Sequence, residues 1–376
     1  MRITRRTFLA SASSAALVSS FAPRLLAATG KQRLFFGSGT SQGILTGEWN
    51  GETGEISAVT SAAPLPDATW IAFSADHKFL FAASEGGMDN GKPIGRVSSF
   101  GVDGATLTPL SAQNSASAGT CHLALDHTGH LLIAADYGGG GAASFLINEG
   151  KLSPAIWSQR FTGQGPNQSR QQNAHAHFVS YSPDNRFVYI NDLGSDCIRI
   201  FKLNPATAQL TPAGQYNTRP GAGPRTLHFH PNGHTAYCVN ELDSTVDVLE
   251  WKAADGSLRQ TAHFEMLPAG YKGDTRACDT VISRDGRSVY FANRDLDFLY
   301  HFRADAKTGA LTPAERTPCG GKIPRNFTLD PSERWMLVAN QNSSLISVFA
   351  RNPATGELAK EGKSFAVPTP MCILFL

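Results

Sequence analysis

Apolar and polar positions repeat one pattern six times along the chain: a short apolar strand, a turn of Ser-Pro-Asp-Gly type, a second apolar strand, then a polar close. The clearest copies are HFVSYSPDNRFVYIND at 177–192, RTLHFHPNGHTAYCVNE at 225–241, CDTVISRDGRSVYFANR at 278–294 and RNFTLDPSERWMLVANQ at 325–341. Weaker copies begin at Trp70 (WIAFSADHKFLFAAS) and His122 (HLALDHTGHLLIAAD). The turn positions Asp76, Thr128, Asp184, Asn232, Asp285 and Ser332 recur about every 50 residues, the length of one four-stranded propeller blade. Each copy also has a second half, such as IRIFKLNPATAQLTPA at 198–213 or LYHFRADAKTGALTPA at 299–314, which reads as two further strands. No sustained helical period competes with this reading.

Six copies leave two remnants: an N-terminal segment from Leu34 to Val59 with three strand patterns, and a final strand MCILFL from Met371. Together they make a seventh blade that closes the ring and removes its open edges. The expected fold is all-β: a seven-bladed β-propeller of four-stranded blades over residues 31–376, with its last blade shared by the two ends of the chain.

The first thirty residues lie outside that pattern. They have a basic start, a short Ser/Ala-rich apolar middle and an Ala-rich end, and Thr4-Arg5-Arg6-Thr7-Phe8-Leu9 fits a twin-arginine export signal. The expectation is a leader over residues 1–30, cleaved between about Ala27 and Gly30. The twin-arginine machinery is then a partner during export, no stable membrane anchor remains, and the mature protein is periplasmic. Loss of Arg2, Arg5, Arg6 and Arg24 takes the formal net charge from +2 to −2. No basic stripe remains to favour nucleic acid or an anionic membrane surface. Six scattered cysteines form no Cys-x-x-Cys and no disulfide framework, so they read as buried strand residues.

The repeat register also locates a site. A residue seven before each turn is expected beside one about eight after it, which gives Thr69 with Ser84, Cys121 with Asp136, and His177 with Asp192. The later blades give Arg225 with Glu241, Cys278 with Arg294, and Arg325 with Gln341. These positions lie at the rim opposite the turns, so His177, Asp192, Arg225, Glu241, Arg294 and Arg325 form one titratable ring around the channel mouth.

The motifs NAHAHF (173–178), NDLGSD (191–196), GAGPR (221–225), NELDS (240–244), ANR (292–294) and IPRNF (323–327) resemble the lactonase-type seven-bladed propellers. That family includes the propeller form of 6-phosphogluconolactonase and the fungal carboxy-cis,cis-muconate cyclase. The resemblance spans the whole chain after the leader. It implies an active site of one His, two Arg and one Glu, corresponding here to His177, Arg225, Arg294 and Glu241. His175, which belongs to the family's His-x-His pattern, is added as a substrate contact together with Asp136, Asp192, Asn240, Arg325 and Gln341. The chain departs from many relatives at Asp295-Leu296, where they carry Gly-His after Asn-Arg.

These groups suit lactone hydrolysis. His177 or Glu241 would take a proton from the attacking water, one arginine would steady the charge on the carbonyl oxygen, and the other would hold an anionic substituent. Two other readings stay open, a muconate-type cycloisomerase and a non-catalytic binding propeller. Export argues for a non-phosphorylated sugar lactone or related cyclic ester as substrate. No cofactor or metal is expected, although His175 with His177, and His228 with His230, share strand faces that could begin a metal site. Gly39-Thr40-Ser41-Gln42-Gly43 matches a nucleophile-elbow pattern but precedes no helix. Gly138 to Gly141 lacks the Lys and helix of a phosphate loop and reads as close packing.

Overall fold

The computed structural model describes residues 31–376; the expected export leader at residues 1–30 lies outside the described residues. Seven blade sheets follow one another along the chain, with a small two-stranded hairpin, Met88–Asp89 with Lys92–Pro93, inserted in the first; in six of the seven the strand order matches the sequence order from the axis outwards. The innermost strands are Ala68–Phe73, Thr120–Leu125, Ala176–Tyr181, Pro224–Phe229, Ala277–Ile282 and Pro324–Leu329, which define blades 1 to 6. Blade 7 takes its innermost strand, Pro370–Phe375, from the end of the chain. Its other three strands, Lys31–Ser38, Ile44–Asn50 and Glu55–Ala63, come from the beginning. The two ends pair antiparallel from Leu34 with Phe375 to Ser38 with Pro370. In blade 2 the outermost strand is broken into Lys151–Leu152 and Trp157–Arg160, both paired with Gly141–Asn148. Neighbouring inner strands touch all the way round, including Pro370–Phe375 against Ala68–Phe73, so the ring is closed.

Seven apolar clusters fill the seven spaces between blades. This explains the continuous apolar runs in the second strands. In Phe187–Asp192, Val188 and Ile190 pack toward blade 2 while Tyr189 packs toward blade 4. In Ser288–Asn293, Val289 and Phe291 pack toward blade 4, and Tyr290 and Ala292 toward blade 6. The two-residue alternation of a strand serves two cores at once, so both faces are apolar.

The inner hairpins turn as their residues dictate. The residue after each turn position lies in the left-handed region: His77, Gly129, Asn185, Gly233, Gly286 and Glu333 have φ from 55° to 76°. Ser or Asp at the turn entry ties the loop, as Ser182 Oγ does by donating to Asp184 Oδ1 at 2.7 Å.

At the opposite end of every inner hairpin the pairing slips by a residue. Ala176 pairs with Asp192 and Phe178 with Asn191, leaving His177 bulged. The same shift leaves Thr69, Cys121, Arg225, Arg325 and Met371 unpaired, and blade 5 shifts across Cys278 and Asp279. The expected cross-strand pairs are therefore corrected. Pro224, Ala277 and Pro324 face Asn240, Asn293 and Asn340, while Glu241, Arg294 and Gln341 come just beyond the second strand. A bulge re-aims a side chain, and in six of the seven blades it does so toward the axis.

Candidate functional site

Two tiers of side chains meet at the channel mouth. The bulge tier supplies Thr69, Cys121, His177, Arg225, Arg325 and Met371, which line one small axial cavity of about 20 Å³. Below them Trp70, His122 and Phe178 pack ring against ring, with His122 centred 4.4 Å from Trp70 and 3.8 Å from Phe178. They leave room for about a single water along the axis. The upper tier is the residue that follows each second strand, namely Glu85, Tyr137, Leu193, Glu241, Arg294 and Gln341. Glu85, Tyr137, Glu241 and Arg294 join Cys121, His177, Arg325 and Arg170 around a cavity of about 170 Å³. His177, Cys121 and Arg325 line both cavities and form the floor between them.

Glu241 is the electrostatic centre. It is 1% exposed, and three guanidinium groups reach it: Arg170 Nη2 at 2.5 Å from Oε1, Arg225 Nε at 3.0 Å from Oε2 and Arg294 Nη2 at 2.6 Å from Oε2. Burial alone would raise its carboxyl pKa. Arg294 and Arg225, with Arg170, outweigh burial and hold the carboxyl far below the usual carboxylate range. Glu241 is thus a fixed anion and a poor proton acceptor.

His177 has the opposite character. Burial first, then the charges of Arg225, Arg325 and Arg294, push its imidazole well below the ordinary histidine pKa despite the attraction of Glu241. The ring is neutral, and its Nδ1 is buried without a hydrogen-bond partner. Arg294 also keeps buried N–H groups, Nε and Nη2, outside any hydrogen bond, since its approach to Glu241 is an ion pair of poor angle. Arg225 Nε is likewise outside any hydrogen bond, but Arg225 donates through Nη1 to the Cys278 carbonyl and does not line the larger cavity. Of the expected arginine pair, Arg294 faces the open space and Arg225 anchors Glu241 from behind.

Tyr137, Arg170 and Glu85 were not singled out from the sequence. Arg170 Nη2 donates to the Tyr137 hydroxyl at 3.1 Å as well as to Glu241. The Tyr137 ring stacks on His175 with centroids 4.5 Å apart and stands edge-on to His177 at 5.5 Å. His175 hydrogen-bonds through Nδ1 to the Tyr137 carbonyl at 2.7 Å, so it supports Tyr137 from behind. Glu85 lies 3.6 Å from Arg325. Glu85 and Tyr137 were legible: they stand nine after their turn positions, the same offset as Glu241 and Arg294. Arg170 sits in the segment before blade 3, where no repeat position points to it.

Three expected substrate contacts lie inside the blades. Asp136 accepts from Thr120 Oγ1 at 2.6 Å and from the Ser117 backbone at 2.7 Å. Asp192 accepts from Arg199 Nη2 at 2.7 Å and from the His175 backbone at 2.8 Å. Asn240 donates to Thr245 and Asp247 at 3.0 and 3.2 Å. All three are fully buried and outside the cavity, because they end the paired strand where Glu241 and Tyr137 begin the turn. Gln341 starts a short 3-10 turn and also stays outside; Arg325 lines the cavity as expected.

The other motifs resolve simply. His228 hydrogen-bonds to Asp279 and His230 to the Gly286 carbonyl, so neither histidine pair converges. Among the described residues no group of three or more His, Cys, Asp or Glu is placed to hold a metal. Ser41 lies in the hairpin turn between Lys31–Ser38 and Ile44–Asn50. A Cβ on Gly139 would meet Ser117 at 2.3 Å, and one on Gly140 the Ala174 carbonyl at 2.3 Å, which accounts for the glycine run by packing. All six cysteines are buried and free.

Comparison with known proteins places this geometry. A Bacillus subtilis protein named 6-phosphogluconolactonase is 30% identical over 341 residues, covering 90% of this chain and 95% of that protein. A Formosa agariphila protein of the same name is 31% identical over 340 residues, covering 87% and 94%. The solved periplasmic gluconolactonase of Pseudomonas aeruginosa superposes with a TM-score of 0.86 at 30% identity, over 92% of this chain and 99% of that one. The model of the family described as lactonase, 7-bladed beta-propeller, matches residues 28–375, and the chain belongs to that family.

Proposed function

We propose that the protein hydrolyses a sugar lactone or related cyclic ester in the periplasm. One observation carries the reading: the half-buried His177 imidazole, whose Nδ1 has no hydrogen-bond partner, and the Arg294 guanidinium, whose Nε has none, face the same cavity. His177 takes a proton from water as its oxygen bonds to the lactone carbonyl carbon. Arg294 stabilises the negative charge that gathers on the carbonyl oxygen. The bond from carbonyl carbon to ring oxygen then breaks, and the leaving alkoxide takes the proton back from His177. Arg170, Arg225, Arg294 and Arg325 outnumber Glu241 and Glu85 around the site, a balance that suits an oxyanion and the carboxylate product. Periplasmic placement is supported by the Arg5-Arg6 leader pattern and by the periplasmic gluconolactonase of Pseudomonas aeruginosa.

The test is a pH-stat assay of the protein lacking residues 1–30 against a panel of sugar lactones and muconate. His177→Ala should lower kcat/KM for the best lactone by about 10²–10⁴-fold. Turnover of muconate with no lactone opened, or a variant as active as wild type, would defeat the reading.

A further inference from the structure

A second hollow adjoins the catalytic cavity. It has a volume of about 470 Å³ and is lined by Asn167, Ser169, Arg170, Leu242, Gly273, Asp274, Thr275 and Arg276. The two spaces are neighbours: one residue lines both, and two backbone links join their walls. Arg170 belongs to each. Glu241 faces the cavity while the next residue, Leu242, faces the hollow. The Arg294 backbone N–H donates to the Arg276 carbonyl at 2.9 Å, so the cavity's arginine and the hollow's arginine are bonded neighbours. At about 170 Å³ the cavity is below the roughly 300–1,000 Å³ of a drug-sized ligand site, whereas the hollow falls within that range.

Charge indicates what the hollow takes. Arg170 is already paired with Glu241, and Arg276 with Asp295, through Nη2 at 2.5 Å and Nε at 3.0 Å. The remaining polar lining is neutral (Asn167, Ser169, Thr275) or anionic (Asp274). A phosphate would have to displace a carboxylate from one of the arginines and approach Asp274. An uncharged, hydroxyl-rich group can use the amide, the hydroxyls and the guanidinium edges without that cost.

We infer that this hollow is a subsite for a neutral glycosyl substituent, so that the preferred substrate is the lactone of a glycosylated aldonic acid. The lactone ring occupies the cavity over His177 and the second sugar lies across Arg170. The inference rests on the hydrolytic reading above.

Steady-state hydrolysis of glucono-δ-lactone, maltobionolactone and 6-phosphogluconolactone separates the two claims. The wild-type protein should open both uncharged lactones, with the higher kcat/KM on maltobionolactone. Ser169→Trp and Asp274→Trp fill the hollow from exposed positions on two separate segments of its lining. Each should lower the ratio of kcat/KM for maltobionolactone over glucono-δ-lactone by at least about tenfold, the effect of losing about 1.4 kcal/mol. Turnover of glucono-δ-lactone with no preference for maltobionolactone, a ratio unmoved by both variants, or a preference for the phosphorylated lactone would overturn the subsite. Failure to open any lactone would instead overturn the hydrolytic reading.

Discussion

At the scale of single residues, the site separates two roles that the sequence left together. His177 and Glu241 are both acid–base types, and composition alone cannot choose between them. Their surroundings do: Arg170, Arg225 and Arg294 fix Glu241 as an anion, and burial with Arg225, Arg325 and Arg294 keeps His177 neutral. Arg225, Arg294, Arg325, Glu241 and the Tyr137 edge are the charged and polar groups that face the imidazole. Because its pKa is lowered, the ring keeps its base form as pH falls. A kcat/KM profile recorded by pH-stat should therefore show no loss centred near about pH 6.5, where an ordinary histidine would protonate. Glu241→Gln should remove about 3–5 kcal/mol of stability in urea titrations, since it leaves a buried arginine cluster without its anion. In the native protein that carboxylate's contribution is present above the ordinary carboxylate pKa of about 4.3, and fades only in strong acid.

Among elements, the decisive one is the bulge that opens each inner strand. The repeat pattern located the seven-before position in every blade, so His177, Arg225 and Arg325 were legible from spacing. A bulge, however, leaves no mark in an apolar/polar pattern, and it shifts the opposing register by one. That shift puts Glu241, Tyr137 and Glu85 at the mouth, and leaves Asp136, Asp192 and Asn240 inside their blades. The approach segment before blade 3 has no repeat counterpart, and Arg170 with it was out of reach. That segment depends on close packing against the glycine run. Gly140 has φ of 64°, and a Cβ there would meet the Ala174 carbonyl at 2.3 Å. Gly140→Ala should cost about 2 kcal/mol or more from left-handed strain and clash. It should also depress lactone turnover by shifting His175 and Tyr137, and chemical denaturation beside the rate assay checks both.

For the whole molecule, closure of the ring was readable because a leftover strand at one end and three at the other add up to one missing blade. The seven inter-blade clusters show why closure matters: blade 7 supplies one wall of two of them. Deletion of residues 370–376 should therefore abolish the cooperative thermal transition of the entire domain, followed by circular dichroism, rather than fray one blade. The same closure brings His177 of blade 3, Glu241 of blade 4 and Arg294 of blade 5 to one axial mouth, although they are 117 positions apart from first to last. The most direct test is the rate of glucono-δ-lactone opening by Arg294→Met. Loss of the guanidinium should lower kcat by about 10²–10³-fold while KM moves little. A kcat within about twofold of wild type would contradict the account.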